Sequence, residues 1–151
     1  MTRARLLRLV FLTVVALAVA MFPGSARSDG PSPGGDTVIV VTAKLVEIPS
    51  KPPPDDLYDY AYVMRYEVIG GPLDKQSIFV AHYKPLLPRS KIKDKMKGYV
   101  GGKLRVFSQG DVHRLKLSSD LKAIWKGALI DEFNATDRKS VRYWCLEADP
   151  A

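Results

Sequence analysis

Tyr58-Asp59-Tyr60-Ala61-Tyr62-Val63-Met64-Arg65-Tyr66-Glu67-Val68-Ile69 is the stretch on which the fold turns. Its even positions, Tyr58, Tyr60, Tyr62, Met64, Tyr66 and Val68, are aromatic or aliphatic, whereas Asp59, Arg65 and Glu67 occupy odd ones. A period of two is the repeat of a strand, whose successive side chains point to opposite faces. The spacing predicts one long strand over Tyr58 to Ile69 with a row of tyrosines on its core face. At about 3.3 Å per residue such a strand spans roughly 40 Å, so it must bend around a small core or outrun it at one end. The end that outruns the core would be Tyr58 and Tyr60, whose flat, amphipathic rings could stack on a sugar or another planar ligand.

On the N-terminal side, Pro52, Pro53 and Pro54 make Ser50 to Asp56 a stiff extended loop. Before it, Thr37 to Ile48 is rich in β-branched residues and reads as the first strand, ended by Pro49. On the C-terminal side, Gly70-Gly71-Pro72 turns the chain into a third strand, Ser77 to Lys84, with Ile78, Val80 and His82 opposite Phe79, Ala81 and Tyr83. The period then changes. Ile92, Met96, Tyr99 and Val100 stand at i, i+4, i+7 and i+8, predicting a short helix within Arg89 to Val100 that Gly101 and Gly102 stop.

Lys103 to Phe107 and Val112 to Leu117 read as a strand pair around the turn Ser108-Gln109-Gly110-Asp111. Leu121, Ile124, Trp125, Ala128 and Leu129 predict a second helix behind the capping candidates Ser118 and Ser119. Gly127 weakens that helix by about 1 kcal/mol relative to Ala. Val141 to Glu147 is the closing strand. Three strands, a helix, a strand pair, a helix and a strand is the order of a mainly β, OB-like barrel of five to six strands with one or two short helices, a β-sandwich being the alternative.

The 151 residues carry a net charge of +7, of which Arg3, Arg5 and Arg8 contribute three, leaving +4 for the rest. Those arginines precede an apolar run from Leu9 to Phe22, which gives way to Pro23-Gly24-Ser25-Ala26. A charged start, an apolar segment too short for the roughly 20 residues of a bilayer span, and small residues at its end read as a secretory signal peptide over 1–26. Residues 27–36, rich in Ser, Gly, Pro and Asp, read as a flexible leader, and 37–151 as a single domain. The expected location is secreted or periplasmic, with no transmembrane span once the signal peptide is cleaved. A charge of +4 is too small for a dedicated nucleic-acid binder. One cysteine, Cys145, excludes an internal disulfide scaffold and a multi-cysteine zinc site.

Tyr62-Val63-Met64-Arg65-Tyr66-Glu67-Val68, Ile78-Phe79-Val80-Ala81-His82-Tyr83 and Gly110-Asp111-Val112-His113-Arg114-Leu115 together give a pattern that resembles the secreted OB-like modules of the netrin and metalloproteinase-inhibitor type, over 37–118. The likeness is one of strand order and turn placement. Because the disulfide cysteines and N-terminal cysteine of the animal members are missing, protease inhibition is not implied. The pattern also resembles bacterial envelope proteins that accompany polysaccharide acetylation.

Lys84, Arg89, Lys91, Lys93, Lys95, Lys97, Lys103 and Arg105 form a basic stretch broken by one acid, Asp94. On a helix, Lys91 and Lys95 flank the apolar stripe on one side and Lys93 and Lys97 on the other, an arrangement suited to an anionic polysaccharide, an envelope surface or an acidic protein partner. The alternative is a solvated face that keeps the chain soluble.

His82 and His113 are the only imidazoles. Neither belongs to a nucleophile–base arrangement legible in the chain, and no three- or four-ligand metal spacing or phosphate-cradling glycine loop is present. No catalytic residue, metal or cofactor is therefore assigned. The expected function is a non-enzymatic, extracytoplasmic binding module. Its alternative is an enzyme or accessory protein of envelope polysaccharide modification, with His82 or His113 as general base in a cleft beside a carboxylate or hydroxyl. Cys145 is expected in the core, and Asn134-Ala135-Thr136 matches a glycosylation sequon.

Overall fold

In the computed structural model residues 36–151 are described; the expected signal peptide over 1–26 and all but the last residue of the expected leader over 27–36 lie outside the described residues. Six strands form one mixed sheet: β1 (Val38–Glu47), β2 (Tyr60–Val68), β3 (Ser77–Tyr83), β4 (Val112–Ser118), β5 (Ala128–Ile130) and β6 (Arg142–Pro150). Their order is β1-β4-β6-β3-β2-β5, and a further β1–β2 pairing closes five of them into a ring with β5 attached outside it. The β3–β6 ladder is parallel, and the other four ladders of the ring are antiparallel. This is the OB-like barrel.

Closure falls to β1 and not to the tyrosine strand. β2 is nine residues long, shorter than the twelve the alternation suggests: Asp55–Leu57 form a turn and Asp59 is held by Lys84 before the strand begins, and Ile69 falls outside it at the other end. β1 instead pairs β4 along Val38–Lys44 and β2 along Ala43–Glu47, with a register break between Leu45 and Glu47. One bulged strand thus belongs to both halves of the ring, bending where the extra residue sits.

Period-two alternation then makes two cores. Tyr60, Tyr62, Met64, Tyr66 and Val68 point into the barrel with Leu45, Ile78, Val80, Leu115 and Leu117. Ala61, Val63, Phe79, Ala81, Tyr83 and Trp144 form a second core with Ile92, Met96, Val100, Leu121, Trp125 and Phe133. The chain between β3 and β4 and that between β4 and β6 supply this second layer.

Both predicted helices are largely absent, for local reasons. Arg89–Lys91 is one 3-10 turn, Ile92 is extended, and two i→i+3 turns follow. Asp94 breaks the helix: one carboxylate oxygen accepts from the Met96 N–H at 2.8 Å and the other from the Tyr83 hydroxyl at 2.7 Å. Such Asx turns compete with the helical ladder. Ile92, Met96 and Val100 are nevertheless buried, whereas Tyr99 is exposed.

The second helix, α1, is the single turn Leu121–Ile124, with Asp120 at its N-cap; Ser118 bonds Asp36 and the Asp120 N–H instead. The Trp125 indole donates to the Ala128 carbonyl at 2.9 Å and lies where a Cβ on Gly127 would be, so the chain bends into β5 beside Tyr60–Tyr62.

No strand forms over Lys103 to Phe107, because both edges of β4 are taken by β1 and β6. Leu104 instead donates to the Ala148 carbonyl at 3.0 Å, and Gly102, at φ +105°, lies so close to Ala148 that a Cβ would overlap its backbone.

Candidate functional site

The basic stretch wraps the outer core as an irregular strap, and its members part company there. Lys91, Lys93, Lys95, Lys97, Lys103 and Arg105 are exposed. Lys84 is half-buried, with its ammonium 2.8 Å from Asp59; that hydrogen bond raises the lysine and lowers the carboxylate. Lys95 is 3.7 Å from the other oxygen of Asp59 and lies over the Trp125 ring at 5.8 Å. Arg89 leaves the set altogether. At 3% exposure it is buried, one amino nitrogen donating to the carbonyls of Lys84 and Leu87 at 2.6 and 3.0 Å. Pro85 and Pro88 have no N–H and fold the chain back on itself, and the guanidinium fills the resulting turn.

Of the tyrosine pair expected to be exposed, only Tyr58 is. Tyr60 is buried, its hydroxyl donating to the Pro53 carbonyl at 2.7 Å, because β5 and the proline loop cover this end of β2. Its ring packs against Tyr58 at 5.6 Å. A two-ring stacking platform is therefore not presented.

Trp125 joins the strap to a groove that the sequence does not announce. This groove, about 550 Å³, runs between α1, the start of β5 and the 131–142 segment, and its lining includes Lys122, Lys126, Asn134 and Arg138. Arg142 lies on its wall but is held by Asp131 at 2.8 Å, both side chains being nearly buried. Lys122, Lys126 and Arg138 are exposed and have no carboxylate within ion-pair distance among the described residues, as is also true of Lys91, Lys93 and Lys97. The groove's cations are scattered over seventeen positions of chain without a period, so only the Lys122/Lys126 spacing hinted at them. The sequon asparagine is exposed in the groove wall.

The two histidines face one another across a hydroxyl. Tyr66 Oη lies 3.0 Å from His82 Nε2 and 3.3 Å from His113 Nδ1, inside the barrel. A hydroxyl beside both rings meets half of the general-base requirement. The cleft is missing: the exposures are 0% and 1%. Burial pushes both imidazoles below the usual histidine range, His82 well below with Arg89 and His113 adding to the effect, and pushes the Tyr66 hydroxyl well above its own. All three are neutral at physiological pH. Cys145 is also in this core, donating to the Glu147 carbonyl at 3.3 Å, its thiol pushed up to about 12 by burial. Among the described residues no cluster of His, Cys, Asp or Glu fits a metal ion, and no helix is long and apolar enough to cross a membrane.

Comparison of the chain with protein-family models, with curated proteins and with solved structures finds no match.

Proposed function

We propose that the protein is an extracytoplasmic, non-enzymatic binding module that takes an anionic polysaccharide along the strap and the groove. The supporting observation is Trp125, which lines the groove of Lys122, Lys126 and Arg138 and carries over its ring Lys95, a strap lysine paired with Asp59 whose neighbours Lys91, Lys93 and Lys97 are unpaired among the described residues. Exposed cations at an open groove lower the energy of a polyanion, and Trp125, buried at 6% exposure, ties the groove to the strap. The likeness to secreted netrin-type modules rests on strand order and is compatible with a binding role. Location outside the cytoplasm rests on the 1–26 segment.

The test is retention of the purified protein on polygalacturonate, with neutral dextran and anionic vesicles alongside, at two salt concentrations. Retention on polygalacturonate should weaken as salt rises, since screening acts on exposed charges over about 10 Å at 0.1 M. Replacing Lys91, Lys93, Lys95 and Lys97 with Glu should abolish it, and Lys122→Glu with Lys126→Glu should reduce it. Unchanged retention in the fourfold variant overturns the strap. Retention on vesicles alone transfers the function to an envelope surface.

A further inference from the structure

Three buried side-chain atoms have no hydrogen-bond partner among the described residues: His82 Nδ1, His113 Nε2 and Arg89 Nε. The first two are linked. One hydroxyl proton on Tyr66 serves only one of its two imidazole neighbours, so the hydroxyl donates to one ring and accepts the N–H of the other. A neutral ring that accepts at its near nitrogen carries its proton on the far one, and a ring that donates has a bare far nitrogen. The two far nitrogens are thus always one donor and one acceptor. The direction of the Tyr66 hydroxyl decides which ring is the donor, and reversing it also requires a proton to leave one far nitrogen and another to reach the other.

Arg89 adds an uncompensated positive charge. Among the described residues no carboxylate lies within ion-pair distance of it; the closest in effect, Asp55, is half-buried in the proline loop at 3.4 Å from the Tyr60 hydroxyl. Burying a guanidinium without an anion is costly.

Phe107 connects these groups to the surface. Its ring is 4.3 Å from the His82 ring, 5.8 Å from the His113 ring and 5.1 Å from the Arg89 guanidinium carbon. The same residue lines an apolar recess of about 100 Å³ with Ile48, Pro52, Met64, Leu86 and Val106, the last two about half or more exposed. On one side Leu104 donates to the Ala148 carbonyl and accepts from the Arg89 N–H, and on the other Gly110 donates to the Leu45 carbonyl and Gln109 Oε1 accepts from the Ile48 N–H.

We infer that the barrel holds a second binding site, distinct from the strap, for a short carboxylate with an apolar tail, its head reaching Arg89 Nε–H and an imidazole N–H when Phe107 turns aside and its tail filling the recess. One unpaired positive charge matches one negative charge. A dianion such as phosphate would bring a surplus charge into the same apolar surroundings. Whichever way the Tyr66 hydroxyl points, one of the two far nitrogens carries an N–H, so the head has one imidazole donor.

Titration of the full protein with sodium butyrate, followed by calorimetry and by the imidazole nitrogen resonances, tests this, with chloride and phosphate as comparison anions. Butyrate should saturate and shift the far-nitrogen resonances of at least one histidine, and Arg89→Met should weaken it at least tenfold. Because Arg89→Met could unfold the strap, Val106→Asp supplies a surface variant that sets a like charge in the recess, and it too should weaken butyrate at least tenfold. Absence of saturable butyrate binding, equal binding of phosphate, or butyrate binding that both variants leave intact overturns the proposal. These outcomes leave polygalacturonate retention untouched, so the two sites are judged separately.

Discussion

The two cores of this molecule are built from the same strands and have opposite characters. The inner one is made by regular alternation and yet contains two histidines, three tyrosines, a cysteine and a neighbouring arginine. The outer one is made by irregular chain and is almost wholly apolar, with Trp125 stacked on Trp144 at 6.0 Å. Regular structure tolerates polar occupants because its backbone is satisfied by the ladders, leaving side chains as the only groups in need of partners. A strap without ladders has to be held by apolar burial and by side-chain bonds to its own backbone, such as those of Asp94 and Arg89.

The strongest way to break this comparison is to empty each core in turn. Trp144→Ala removes the largest fully buried side chain and should cost about 4 kcal/mol in urea denaturation, against about 3 kcal/mol for Leu115→Ala inside the barrel. A cost for Trp144→Ala below about 1 kcal/mol would mean that the outer layer is a dispensable cover. Next in size is Asp131→Ala. It strands Arg142 in a nearly buried position and removes the bond from the Phe133 N–H, with an expected loss of about 3 kcal/mol by the same measurement.

The inner core's distinctive mark is its pH response. His82 and His113 have folded-state pKa values below the unfolded value of 6.5, so the unfolded chain takes up protons first as pH falls. Stability is therefore complete above about pH 6.5 and declines below it until the folded rings themselves protonate, at about 1.4 kcal/mol per pH unit for each histidine. Urea midpoints at pH 7.5, 6.5 and 5.5 should show the fall, and His113→Gln should make it shallower; a flat profile would mean that the rings are not held neutral. The smallest effect is expected at the barrel surface. Arg65 and Glu47, joined at 3.0 Å but each more than a third exposed, should lose less than about 1 kcal/mol in Glu47→Ala.

What was legible in the sequence follows the same division. Alternation over Tyr62–Val68 and Ser77–Tyr83 separated the two faces as the structure does, because a period of two is a property of the backbone, whereas Tyr60, expected to be exposed, is buried. The strap's burial was legible at Ile92, Met96 and Val100, but its shape was not. A spacing of four serves two successive turns as well as a helix, and the choice was made by Asp94 and Tyr83, eleven residues apart. Charge was the least legible quantity. Arg89 looks like Lys91 and Lys93 in a row of cations, and only the folded chain shows one inside and the others in water. The His82–Tyr66–His113 contact joins residues sixteen and forty-seven positions apart, a separation that no local pattern encodes.

The position of β6 in the ring governs the order in which the molecule can be made. It is the strand between β3 and β4, parallel to one and antiparallel to the other, yet it spans Arg142–Pro150. Until those residues emerge, β1 to β4 can pair only as an open sheet, with the edges of β3 and β4 bare and the tyrosine row half covered. Loop closure over such separations is slow, and bare edges recruit other chains. The hazard of aggregation therefore lasts until Arg142–Pro150 have been made, and interruption just short of Arg142 would release the species most prone to it.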